Sequence, residues 1–138
     1  MMKVVCRINN VADVPQTHVR DRLRKYIHLT DGDDNLVIGR VYTVYGLHFW
    51  DNCPWFLICE YDDDEYPVAQ PPEFFDMVDD RLSAYWKLSS SSREGREAWT
   101  QLVFDEWARD PLFYERLLDG HKDDEAVFAR YKKLMDEE

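Results

Sequence analysis

Only five glycines occur in the 138 residues, and none forms part of a G-x-G-x-x-G or G-x-x-x-x-G-K pattern. Without a loop of that kind there is no backbone cradle for a phosphate, which sets nucleotide-binding folds aside. A G-x-S-x-G elbow is also missing, and His18, His28, His48 and His121 are scattered with no cysteine in a recognisable setting beside them. Nucleophilic catalysis therefore has no visible anchor. No apolar run approaches the roughly 18 residues that a membrane-spanning helix requires. The first residues, MMKVVCR, carry neither the apolar centre nor the cleavage pattern of a secretory signal, so a soluble, cytoplasmic protein is expected.

Cysteine is scarce and oddly counted. Cys6, Cys53 and Cys59 make three, with no C-x-x-C spacing. An odd number argues against a disulfide framework and for reduced, buried thiols. His48, Cys53 and Cys59 match no zinc spacing and lack a fourth ligand, so no metal or other cofactor is expected.

Positive charge is in deficit as well, the net being −11. The first thirty residues run the other way, with six Lys/Arg against Asp13 and Asp21, so the rest of the chain carries more than the whole deficit. Such a surface repels phosphate backbones and attracts basic proteins. Nucleic acid is therefore not expected as a partner, nor is a membrane.

What is present is a well-stocked core. Hydrophobic residues at 45% and aromatics at 14% are too many for a disordered chain. "VVCRI" reads as an opening strand closed by Asn9-Asn10. Residues 15–28 suit either a helix, with Val19, Leu23, Tyr26 and Ile27 at helical spacing, or a charged connection. "TDGDDN" marks a turn. "LVIGRVYTVYGLHFW" is strand-like, with apolar residues on both faces and Gly39 and Gly46 predicting bends or a bulge. "DNCP" turns the chain into a partner strand, "WFLICEY". "PPEFFDMVD" and "RLSAYWKL" add one or two short strands.

The period changes after Ser89–Ser92, which reads as the start of a Ser-rich linker over 89–97. Beyond it Trp99, Leu102, Val103 and Trp107 share one helical face. A second helix is punctuated by Asp110, Pro111 and Gly120. A third places Val127, Phe128, Tyr131, Leu134 and Met135 together. Residues 1–138 thus read as a single α+β domain, mainly β over 1–88 and helical over 98–138.

"MKVVCRINN", "LVIGRVYTVYGL" and "WFLICEYDDD", followed by Tyr66-Pro67 and by Phe74 and Phe75, resemble small bacterial and phage SH3-like barrel proteins. With "FDMVDDRLSAYW" and the helical last third, the whole chain is similar to a bacterial group that includes immunity proteins acting against polymorphic toxins. That resemblance implies an SH3-like, strongly bent antiparallel sheet or small barrel, packed against two or three C-terminal helices. It implies a scaffold and no catalytic residue.

The most conspicuous stretch is Asp62, Asp63, Asp64 and Glu65, four acidic residues in a row. The run lacks the spaced carboxylates and the glycine of a Ca²⁺ loop. As a solvated turn it needs no role, and as a contact surface it would steer a cationic partner. Trp50 and Trp55 bracket a turn, where they either supply contact area or fold back onto the sheet or the C-terminal helices. Trp86, Trp99 and Trp107 read as core. The leading expectation is a non-enzymatic binding protein whose Asp62, Asp63, Asp64, Glu65, Trp50 and Trp55 meet a basic protein, possibly a toxin. The alternatives are an SH3-like peptide adaptor gripping its ligand between Tyr42, Tyr45 and Trp55, a small hydrolase working through Asp62 or Asp64, and a structural subunit.

Overall fold

The computed structural model describes residues 1–27, 35–92 and 98–138. Among them, an open antiparallel sheet of seven strands is joined by four α-helices, three of these in the C-terminal third. Strand β1 is Lys3–Cys6, β2 Val41–Trp50, β3 Cys53–Ile58, β4 Val68–Gln70, β5 Phe75–Asp79, β6 Trp86–Ser91 and β7 Trp99–Phe104. The helices are α1 Thr17–Arg24, α2 Asp105–Arg109, α3 Phe113–Leu118 and α4 Lys122–Asp136. The expected turn in "TDGDDN" lies outside the described residues but for its last, Asn35.

Strand β2 organises the sheet. Its first half pairs with β1 and its second half with β7, while β3 runs along the opposite side. The β2–β3 register shifts between Val44 and Gly46, a bulge that bends the strand where it changes partner. Around that bend Tyr42, Val44, Tyr45 and Leu47 are all buried, which is why both parities of the strand had to be apolar. Gly46 is required by proximity, since a Cβ there would lie 2.9 Å from Leu57 Cδ1 and from Val103 Cγ1. The hairpin closes through Asp51 and Asn52, at φ 50° and 56°. Asp and Asn tolerate that left-handed conformation better than other residues with a side chain, and a two-residue hairpin turn of this kind demands it twice.

Residues 15–28, open between helix and connection, contain α1, with Val19 and Leu23 buried one turn apart. Two expectations are corrected. The predicted linker over 89–97 begins as strand, because β6 runs through Ser91. Its serines find cross-strand partners, Ser90 Oγ lying 3.0 Å from Thr100 Oγ1 and Gln101 Nε2 donating to Ser89 Oγ at 3.0 Å. Residues 93–97 of that stretch lie outside the described residues. The helix expected from residue 98 is strand β7 up to Phe104. There Gln101 and Val103 are buried at strand period, and β-branched and aromatic residues suit a pleated surface. The spacing of Trp99, Leu102 and Val103 matched a helix by coincidence.

The true helices follow. Asp110 Oδ1 accepts from the Leu112 N–H at 3.0 Å, and Gly120, at φ 78°, lets the chain leave α3. Arg116 joins the α3–α4 corner, donating to Asp124 through Nε at 3.0 Å and Nη2 at 3.1 Å, and to Asp110 at 2.6 Å. Helix α2 packs on β6 and β7, α3 on α4, and α4 reaches β2. Leu117, Phe128 and Met135 thereby enter the same hydrophobic cluster as Val4, Leu23, Leu57 and Phe104. Full burial of each such side chain contributes about 1.5–3 kcal/mol.

Candidate functional site

The acidic run forms the turn between β3 and β4. Asp64 builds it, its Oδ2 accepting from the Tyr61 N–H at 3.0 Å while its own N–H donates to the Tyr61 carbonyl at 3.2 Å. Asp62 Oδ1 accepts from Arg40 Nη2 at 2.8 Å, yet the Asp62 side chain stays 96% exposed. Asp63 and Glu65 are exposed and form no ion pair within 4.0 Å with any described residue. Tyr61 and Tyr66 flank the run and are themselves 50% and 39% exposed.

Across an open cleft of about 630 Å³ the turn faces α4, with Lys122, Lys132 and Lys133 in the lining. Lys122 already pairs with Glu125 and Lys132 with Asp136, so the helix only partly offsets the field of the turn. That field reaches Cys59. Burial pushes its thiol up to about 12, the carboxylates of Asp64, Asp136 and Asp62 push the same way, and Lys132 opposes them. Cys6, Cys53 and Cys59 are all free and buried. Among the described residues, no group of three or more His, Cys, Asp or Glu is arranged to hold a metal ion, and no helix is long and apolar enough to cross a membrane.

Trp50 and Trp55 do not join this turn. They sit at the opposite end of β3, stacked on each other at 4.9 Å and 13°, with Tyr26 edge-on to both. The Tyr26 hydroxyl also bonds Asp51, which draws the residues after α1 onto the hairpin tip. Trp55 is 2% exposed and offers a partner no area. Its Nε1 is buried without a hydrogen-bond partner among the described residues, where ring packing holds it. The groove expected between Tyr42, Tyr45 and Trp55 offers no open surface, the three residues being 4%, 5% and 2% exposed.

No family model, curated protein or solved structure matches the chain. The likeness to SH3-like barrel proteins rests on the residues alone.

A second feature was not visible in the sequence. The far half of β2, β7 and the α2–α3 corner enclose a cavity lined with aromatic rings, among them Trp50, Trp99, Trp107 and Tyr114. The only signal was composition, in "HFW" and three later aromatic residues whose strand and helix assignments had to be right before they could meet.

Proposed function

We propose that this protein is a non-enzymatic binding protein that takes a basic protein partner on its acidic turn. Its specific form is an immunity-type protein that neutralises a basic toxin by covering the toxin's working surface. The SH3-like reading of the sheet belongs to the same proposal, supported by the bulged β2–β3 hairpin with helices covering it.

One observation carries the reading. Asp63 and Glu65 stand outside any ion pair with a described residue, between two half-exposed tyrosines, on a molecule of net charge −11. Unpaired carboxylates give a cation somewhere to go, and tyrosine supplies contact area at small entropic cost. The contact surface proposed here is therefore Asp62, Asp63, Asp64 and Glu65 with Tyr61 and Tyr66, in place of the buried Trp55. Long-range charge speeds association, and its effect fades as the screening length falls from ~10 Å at 0.1 M salt to ~3 Å at 1 M.

The test is capture from lysate of the native host with the tagged protein and its D63K/E65K variant, at low and high salt. A basic protein retained by the former, lost by the variant and released by salt supports the reading. Co-expression should then protect cells from that protein, and the variant should not. Capture indifferent to both charge reversal and salt would sink it, as would the absence of protection.

A further inference from the structure

The aromatic cavity has a volume of about 180 Å³. Drug-sized ligands occupy sites of about 300 Å³ and upward, whereas an apolar cavity of ~150 Å³ takes up benzene. The space therefore suits a head group of five to seven heavy atoms (roughly, by comparison with benzene) and not a whole large ligand.

Its walls are stiff. Trp107 and Tyr114 stack at 5.0 Å and 9°, and Trp50 is backed by Trp55. His48 stands edge-on to Trp107 at 5.7 Å and to Tyr114 at 5.8 Å. Among the described residues, the lining includes two carboxylates, Asp110 and Glu115, and no Lys or Arg. Burial lowers the His48 pKa to about 4, although the side chain of Gln101 opposes the shift by hydrogen bonding, so the imidazole adds no positive charge at neutral pH. Asp110 is engaged by Arg116 and by the Leu112 N–H. Glu115 is exposed at the rim, and its side chain has no hydrogen bond or ion pair with any described residue.

Aromatic faces are the negative poles of ring quadrupoles, and a carboxylate beside them deepens the same field. Anions are repelled there. A metal ion or a bare ammonium holds its water tightly and would find few oxygen atoms to replace it. A methylated ammonium spreads its charge over carbon, loses little hydration and fills an aromatic box by shape. We propose that this cavity binds a trimethylammonium head group, with the partly exposed rings of Trp50 and Trp99 against it and Glu115 as counter-charge. The proposal uses no part of the acidic-turn argument and stands or falls separately.

The experiment is a titration of the full chain, followed by tryptophan emission, with choline, with its neutral carbon isostere 3,3-dimethylbutan-1-ol, and with a peptide bearing one trimethyl-lysine. A saturable change with choline or the peptide, at least tenfold weaker with the isostere, is the expected result. Whichever of choline and the peptide binds tighter identifies the source of the head group. E115Q should weaken binding several-fold, and W99L should do the same. If W99L fails to fold, E115Q still decides, because its side chain is exposed and the change conserves shape. No saturable response to either cation, equal binding of the isostere, or unchanged affinity in folded E115Q would each overturn the proposal.

Discussion

The Tyr45 hydroxyl donates to Asp136 Oδ1 at 2.6 Å, joining the bulge in β2 to the last turn of α4 across 91 positions of sequence. Lys132 reinforces the link, lying 5.5 Å from the centre of the Tyr45 ring and 3.2 Å from the other oxygen of Asp136. Burial, followed by the Asp136 hydrogen bond and its charge, raises the Tyr45 pKa above its ordinary value, which keeps the phenol neutral and donating.

Removing that donor should loosen the C-terminal helix from the sheet. In Tyr45→Phe the ring still packs, and Asp136 is exposed enough to recover water. The expected loss is therefore about 1–2 kcal/mol. Urea unfolding at pH 7 measures it through a lower midpoint at unchanged slope. A midpoint that does not move would mean the bond adds nothing to stability.

Gly46 sits at a tight point of the sheet. In Gly46→Ala the new methyl must displace Leu57 and Val103, both 0% exposed, and also lies 3.1 Å from the Leu102 carbonyl oxygen. Overpacking of this kind typically costs about 1–3 kcal/mol. Thermal unfolding of the variant should show a drop of several degrees. A variant as stable as the parent would show that the β2–β7 junction yields easily.

His48 makes stability depend on acid. Its folded-state pKa of about 4 lies below the unfolded value of 6.5. Between those values the unfolded chain binds the extra proton, so stability is retained above pH 6.5 and is lost as pH falls towards 4. The full effect is up to about 3 kcal/mol, since each tenfold change in proton affinity is worth about 1.4 kcal/mol. Carboxylates titrate over part of the same window, so the measurement is the difference between the parent and His48→Phe in urea at pH 7, 5.5 and 4.5. The gap between them should shrink or change sign in favour of the variant as pH falls. Parallel curves would place the imidazole in contact with water.

Several parts of this arrangement were legible in the order of residues. The Asp51-Asn52 turn needed residues that accept positive φ, the β2 and β3 segments were apolar at strand length, and the α4 face recurred at helical period. Local chemistry decides such features, and local chemistry is written in neighbouring residues. Ser89–Ser91 and Trp99–Phe104 depart from the sequence expectation for the complementary reason. Serine is common in linkers, and a short apolar run satisfies two periods at once, so the pairing of β6 with β7 had to decide.

The candidate sites divide along the same line. That Asp62–Glu65 would be an exposed turn followed from their charge, since unpaired carboxylates remain in water. Whether Trp50 and Trp55 stood beside them did not follow, because a strand carries its two ends apart and a ring can turn inward without changing the sequence pattern. The sequence alone determined the acidity of the surface, the strand and turn chemistry of the central hairpin, and the apolar stripe of α4. Only the tertiary structure decided that Trp55 is buried, and that β2 closes around one cavity with β7 and the α2–α3 corner, which begin some fifty residues later in the sequence. Long-range pairing selects among many contacts that local preference leaves equally open, and only the packed chain makes that selection.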